Sequence, residues 1–146
     1  MSGNASLEAL LAGLSPGQRS GEYVFVVADP DKPIAEDTIV ASVVESEGRS
    51  LVVDRHGADE AGLCYEFVAG WITLEIRSAL HAVGLTAAVA AALAEAGISC
   101  NVIAAYHHDH LLVAHDRVEE AIGVLEALSA RHRSSCAAPG SATPRR

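Results

Sequence analysis

The sequence has few basic residues, and this scarcity excludes two classes of partner. Lys and Arg together number 10 against 19 Asp and Glu, which gives a formal net charge of −9. A protein that binds nucleic acid or an anionic membrane surface needs a basic surface to attract the phosphates. Because no basic cluster is visible here, we expect neither nucleic acid nor a membrane as a partner.

Cysteines are also scarce, and their spacing does not suit a disulfide framework. Cys64, Cys100 and Cys136 are odd in number, far apart and without a CxxC motif, so we interpret them as reduced thiols. Reduced thiols are typical of a cytosolic chain. The N-terminus carries Glu8 where a signal peptide would have its apolar segment. We therefore predict a cytoplasmic protein.

Long apolar runs are absent with one exception, which approaches the length of a membrane span. Residues 78–94 carry no formal charge, but the run contains Gly84 and Thr86, and its second half is mostly Ala. About 20 apolar residues are needed to cross a bilayer as a helix. We interpret this run as a strand end, a turn and a buried helix.

Motifs of the common enzyme classes are missing as well. The sequence contains no GxSxG, no GxxxxGK[ST], no GxGxxG and no HExxH, which are the signatures of nucleophilic, phosphate-binding, dinucleotide-binding and zinc-dependent enzymes. The chain is also short for an enzyme that acts alone. We predict no catalytic residues and no cofactor.

What the sequence does contain is a regular alternation of strand and helix patterns. Half of the 146 residues are hydrophobic, which is enough apolar mass for one domain or two small ones. Ile72, Leu74 and Ile76 alternate with polar residues, and this pattern is typical of a sheet that is covered on one face. The predicted strands are 22–28, 39–45, 50–54, 65–78 with Gly70 as a break or bulge, 99–106 and 110–113. The predicted helices begin at Ser6, His56, Thr86 and Asp116.

A weak internal repeat relates the two halves of the chain. When the sequence is shifted by 60 residues, Leu51-Val52-Val53 falls on Leu111-Leu112-Val113, and Val43 falls on Ile103. Asp59-Glu60-Ala61 falls on Glu119-Glu120-Ala121 in the helix that follows. The second half has room for a helix between its first two strands and the first half does not. We infer a duplicated unit whose first copy has lost a helix.

The second copy contains segments that carry a family resemblance. These are the turn Val83-Gly84-Leu85-Thr86, the helix exit 93–99 and His108-Asp109-His110 before Leu-Leu-Val. This half resembles an ACT domain. The first 69 residues, through SLEALLAGLSPG and GEYVF, resemble the N-terminal module of the small bacterial tandem ACT-domain proteins, which are related to the regulatory ACT domains of aspartate kinases.

The resemblance implies the fold class and the domain organisation. It implies an α/β (α+β) protein of two ferredoxin-like ACT units, with antiparallel sheets covered by helices on one face and a reduced first unit. The units are 1–69 and 70–132, and 133–146 is predicted to be a disordered tail. A complete ACT unit has a fourth strand after its second helix, which the second unit lacks. The nearest candidate for this position is the strand 22–28.

The resemblance also implies that the chain binds a small effector, most often an amino acid, at an interface between ACT units. The free N–H groups and the positive end of the helix after Gly84 favour a carboxylate. Asn101 could bond the ligand's amino group or side chain, and Val83 and Ile103 would form apolar walls. The candidate site residues are Val83, Gly84, Leu85, Thr86, Ser99, Asn101 and Ile103. We further expect a homodimer, because exposed sheet edges favour pairing.

Three alternatives remain open at this point. The turn at Gly84 can be an ordinary helix start and Asn101 an ordinary solvated residue. The chain can be a ligand-free interaction protein that dimerises and regulates a partner enzyme. A weaker alternative is metal binding by the hairpin His107–His110, where His108 and His110 share a strand face. Because a metal site needs a third and a fourth ligand, the prediction includes no metal.

Overall fold

The computed structural model describes residues 6–77 and 80–136, in which four helices and six strands are found. In chain order they are α1 (Leu7–Ala12), β1 (Pro16–Val27), β2 (Ile39–Glu45), β3 (Gly48–Asp54), α2 (Arg55–Ala61), β4 (Val68–Leu74), α3 (Leu85–Glu95), β5 (Asn101–Ala104), β6 (Asp109–Ala114) and α4 (Val118–Cys136). Short 3₁₀ turns, Glu36–Thr38 and His115–Arg117, precede β2 and α4. Residues 133–136 end α4, so the prediction that a disordered tail begins at 133 is wrong for these four residues. The rest of the predicted tail lies outside the described residues.

All six strands join one antiparallel sheet in the order β2-β3-β1-β4-β6-β5. The two central strands, β1 and β4, are the first strands of the two units. Each of them therefore takes the fourth-strand position of the other unit. The two units are interlaced through this pair, and the predicted fold of two ferredoxin-like units is confirmed.

The strand that completes the second unit is β1, which contains residues 22–27 of the predicted segment 22–28. Most of its pairing with β4 uses earlier residues, because Pro16–Arg19 pair with Trp71–Leu74 before the register shifts. The shift lies between Arg19 and Tyr23, and Gly21 within it has a φ of +104°, a conformation that glycine adopts readily. The predicted strand was too short because Pro16 and Gly17 resemble a helix stop.

Helices cover one face of the sheet, as the alternation of Ile72 and Leu74 predicts. These two side chains are buried in a cluster with residues from α1, α3 and α4. The shorter α2 covers the β1–β3 part of the same face, where Ala58 packs against Val24 and Val53. The N-terminal helix α1 belongs to the helical layer of the second unit, since it packs against α3 and α4.

The opposite face of the sheet is curled rather than flat. Trp71 is only 4% exposed there, in a cluster with Tyr23 and Leu112. Ala41 from β2 and Ile103 from β5 pack against this same cluster, although their strands form the two outer edges of the sheet. The sheet must therefore bend so that its edges approach each other on this face.

The 60-residue repeat corresponds to equivalent positions in the two units. Leu51–Val53 lie in β3 and their counterparts 111–113 in β6, the third strand of each unit. Val43 pairs with Ser50, and Ile103 pairs with His110, which preserves the same shift across two strands. The duplication inferred from a few identities is thus present in the strand register.

Gly70 lies opposite a bulge, as predicted, and is also a packing position. The β1–β4 register shifts between the pairs Arg19–Trp71 and Tyr23–Ala69, so the extra residues of the bulge belong to β1 and lie opposite Gly70. The pairing of β4 with β6 runs without a shift from Ala69 to Leu74. A Cβ atom at Gly70 would collide with the side chain of Val118, the first residue of α4. Glycine at this position allows α4 to approach the sheet closely.

Candidate functional site

The turn before α3 positions the first group of predicted site residues. Gly84 is the N-cap of α3 with a φ of +102°, so the helix begins one residue before the predicted cap, Thr86. Leu85 is buried in the core, whereas Val83 is 83% exposed. A Cβ atom at Gly84 would lie 2.9 Å from Cδ2 of Leu7 in α1. The positive φ therefore favours glycine at this position, and a side chain would also require the end of Leu7 to move.

The second group of predicted residues lies on and just before β5. Ser99 is exposed and precedes the strand, and Asn101 is its first residue. The Asn101 side chain donates a weak hydrogen bond through Nδ2 to the carbonyl of Leu112 at 3.5 Å. Ile103 is two residues further along and faces the curled side of the sheet. The amide oxygen of Asn101 has no hydrogen-bond partner among the described residues.

The structure does not bring these two groups into one site. The eleven residues of α3 span about 16 Å at 1.5 Å per residue, and they separate Val83–Thr86 from Ser99. Asn101 and Ile103 also lie on the face of the sheet that α3 does not cover. Residues that are near in sequence are thus placed at opposite ends of one helix and on different faces.

Asn101 and Ile103 instead line a groove between the two outer strands, which we call the seam groove. Its volume is about 700 Å³, which is within the usual range for small-molecule sites. The first unit contributes Phe25, Ala41, Ser42, Val43, Glu45, Ser50, Leu51 and Val52, and the second unit contributes Cys100, Asn101, Val102, Ile103 and Ala104. The groove is therefore an interface between the two ACT-like halves of one chain.

The groove combines an apolar floor with a small number of polar groups. Phe25 is 39% and Val43 60% exposed, both unusually accessible for their size. Glu45 is the only charged side chain of the lining, and it accepts a hydrogen bond from Ser50. Burial raises the pKa of the Cys100 thiol, so this thiol stays protonated at neutral pH. Each outer strand has a neighbour on one side only, which leaves backbone N–H and C=O groups available along the groove.

The hairpin histidines do not form a metal site in this arrangement. Nδ1 of His110 accepts a hydrogen bond from Nε1 of Trp71 at 3.2 Å and lies 3.0 Å from the Thr73 hydroxyl. Burial, and to a lesser degree the neighbouring His108, lowers the pKa of His110. Among the residues that the structure describes, no three His, Cys, Asp or Glu side chains are grouped so as to hold a metal ion.

Comparison with known proteins identifies the family. Models of the ACT domain match residues 2–70 and, separately, residues 66–127. The chain belongs to the ACT-domain family. It carries two ACT domains in tandem, as the resemblance of both halves predicted. No curated protein matches the sequence at a significant level.

Three solved structures share the fold of this tandem ACT protein. A Vibrio cholerae protein of unknown function, described as a possible transport protein, is 39% identical, with a TM-score of 0.73 over 84% of this chain and 95% of that one. The regulatory subunit of aspartate kinase from Thermus flavus is 13% identical, with a TM-score of 0.56 over 78% and 96%. An Agrobacterium tumefaciens protein is 17% identical, with a TM-score of 0.61 over 80% and 89%. The last two similarities concern the fold alone.

No helix within 6–77 or 80–136 combines the length and the apolar character of a bilayer span.

Several groove residues were missed by sequence reasoning although a signal for them was present. Phe25, Val43 and Glu45 lie in the first unit, and no candidate was selected there. The 60-residue repeat relates Val43 to Ile103, which was selected. Applying the repeat to the candidate list would have identified the opposite wall of the groove.

Proposed function

We propose that this tandem ACT protein is a regulatory protein that binds an α-amino acid in the seam groove. The observation that supports this function is that one groove is lined by the edge strands of both ACT units. A ligand placed there touches both units at once, which is the interface position implied by the family resemblance.

The lining suits the two charged ends of an amino acid. The ligand's ammonium group would pair with the Glu45 carboxylate, which is the only charge in the groove. Its carboxylate would accept hydrogen bonds from edge-strand N–H groups and from Nδ2 of Asn101, whose bond to Leu112 is long. Phe25 and Ile103 would contact the side chain of the ligand.

Regulation would follow from the position of the groove between the two edges. A ligand shifts an equilibrium between two arrangements only by its differential affinity for them. A molecule that bridges β2 and β5 binds the curled sheet more tightly than an opened one. The effector would therefore stabilise the curled arrangement and the surface it presents to a regulated partner.

We expect at least one of the twenty amino acids to raise the melting temperature of the protein. A ligand at 100 times its Kd stabilises the native state by about 2.7 kcal/mol. Asn101→Ala should then weaken binding of the best ligand by about 0.5–1.5 kcal/mol, the usual net contribution of one hydrogen bond. Thermal-shift screening followed by calorimetric titration of the parent and the variant measures both quantities.

Two further variants serve as matched controls. Ser99→Ala and Val83→Ala alter residues of the candidate list that do not line the groove, so both should bind the ligand as the parent does. Weaker binding by Val83→Ala together with unchanged binding by Asn101→Ala would place the ligand at the turn before α3 and contradict this proposal. If no amino acid stabilises the protein, the ligand-free interaction protein becomes the better interpretation.

We also propose that the protein is a homodimer joined through β2. Val44 is 84% exposed on this outer strand, on the opposite side from the groove-lining Val43. A second copy that packs on this exposed apolar side chain leaves the groove-facing edge of β2 free for the ligand. Sedimentation should give about twice the chain mass of 15.1 kDa, and Val44→Lys should shift the mass towards that of one chain. A parent protein that sediments as a monomer would contradict the dimer.

We propose no catalytic activity for the chain, and we propose that it is a cytoplasmic protein. The support for this location is that Cys64 and Cys100 are free thiols, which persist in a reducing compartment.

A further inference from the structure

A second pocket lies in the first unit, at the position where the second unit has α3. In the second unit, α3 packs in one cluster with Leu111 of β6. The equivalent connection in the first unit, residues 28–38, contains Pro30 and Pro33 and forms only the 3₁₀ turn Glu36–Thr38. Proline is poorly tolerated inside a helix, so this segment crosses the sheet as a loop and leaves space beneath it.

This space, which we call the loop pocket, has a volume of about 460 Å³. Its floor includes Leu51, the repeat counterpart of Leu111, and its walls are formed by Ile34, Ile39 and Leu63. The three wall residues are only partly buried, whereas Leu51 is 2% exposed. Leu51 is therefore covered, and the accessible apolar surface of the pocket consists of the partly exposed side chains of Ile34, Ile39 and Leu63.

The rim of the loop pocket carries charges of both signs. Lys32 and Arg49 supply the positive groups, and Asp29 and Glu36 supply the negative ones. Neither Lys32 nor Arg49 has a carboxylate within ion-pair distance among the described residues. Two unpaired cations at one pocket are notable in a chain with a net charge of −9.

Both cations are held at the rim by hydrogen bonds to uncharged groups. Nζ of Lys32 donates to the carbonyl of Gly62 at 2.9 Å and so links the loop to the end of α2. One terminal nitrogen of Arg49 donates to the Ser42 hydroxyl at 3.3 Å. Each group keeps further N–H donors, and such donors bind a carboxylate strongly through charge-assisted hydrogen bonds.

We propose that the loop pocket is a second ligand site and that it takes an α-amino acid with an aliphatic side chain. Lys32 and Arg49 bind the carboxylate, Asp29 and Glu36 bind the ammonium group, and the aliphatic side chain lies against Ile34 and Ile39. The loop pocket and the seam groove share Leu51 in their linings, but the Leu51 side chain lies on the face covered by α2, and the loop pocket does not require a ligand in the groove. The loss of a helix from the first ACT unit thus creates a binding pocket.

Lys32 is the only lysine in the chain, which provides a selective probe. Protein labelled with [15N]lysine gives a single backbone amide signal, and this amide donates to the carbonyl of Asp29 at 3.0 Å inside the loop. Titration with leucine, isoleucine and valine should shift this signal in a saturable manner for at least one of them. An unmoved signal with all three would overturn the proposal.

Analogues of leucine test both charges of the ligand. 4-Methylpentanoate lacks the ammonium group and 3-methylbutylamine lacks the carboxylate, and each should bind at least tenfold more weakly than leucine. Equal binding of 4-methylpentanoate would show a simple anion site and contradict the proposed role of Asp29 and Glu36.

Variants locate the site and separate it from the seam groove. Arg49→Gln should raise the Kd measured from the Lys32 amide signal at least tenfold. Arg131→Gln removes the same charge from an exposed position of α4 and should leave this Kd unchanged. Asn101→Ala should also leave the Lys32 titration unchanged. A response that is lost in Asn101→Ala and retained in Arg49→Gln would assign the ligand to the seam groove alone and overturn the second site.

Discussion

Leu10→Ala is expected to destabilise the whole protein and not only the short helix that contains it. Leu10 has no exposed surface and lies in the largest buried cluster, between α1 and the other two helices of that layer. Shortening a buried leucine to alanine costs about 2–5 kcal/mol, because it loses apolar contacts and leaves a cavity. Total stabilities of single domains are about 5–15 kcal/mol, so the expected loss is a large part of the total.

The measurement should follow urea unfolding by Trp71 fluorescence and by circular dichroism. Trp71 is the only tryptophan and lies on the curled face, away from α1. If the two units unfold together, the midpoints of the unfolding transition measured by the two signals shift to lower urea concentration by the same amount in Leu10→Ala. Leu80→Ala is the matched control, since Leu80 is 73% exposed and its truncation should change little. Unaltered Trp71 unfolding in Leu10→Ala would contradict the cooperative coupling of α1 to the interlaced sheet.

Local patterns predicted most of the secondary structure because they depend on neighbouring residues. The alternation of Ile72 and Leu74 reflects the period of a strand, and the structure buries both under the helices. The same reasoning failed at Pro16 and Gly17, because α1 already ends at Ala12 and these two residues begin β1. Pro and Gly indicate that the chain changes direction, but they do not indicate at which residue the next strand begins.

The curl of the sheet could not be predicted from the sequence, and the predicted site list therefore included residues of only one wall of the seam groove. Trp71 lies on the same face of β4 as the polar Thr73, yet it is buried because Ile103 and Ala41 pack from the two edges. These contacts join residues far apart in sequence, and no periodic pattern of the sequence indicates them. Asn101 and Ile103 were identified as candidates, but their counterparts across the groove could be found only through the internal repeat.

Gly70→Ala is expected to destabilise the protein although it adds a single methyl group. The new Cβ atom would collide with the side chain of Val118, and the Cα atom of His115 lies 3.6 Å away. Val118 is itself 2% exposed, so its side chain has little space into which it can move. Overpacking of this kind costs about 1–3 kcal/mol, and equilibrium unfolding in urea measures it.

Two further variants decide whether the collision with Val118 is the cause. Combining Gly70→Ala with Val118→Ala should restore part of the loss, so that the double variant is more stable than the sum of the single effects predicts. Gly123→Ala is the matched control, because Gly123 lies in α4 with open space around its Cβ position. That change should stabilise the protein by about 0.5–1 kcal/mol through helix propensity. Additive effects of Gly70→Ala and Val118→Ala would show that the close approach of α4 to β4 does not explain why glycine occupies position 70.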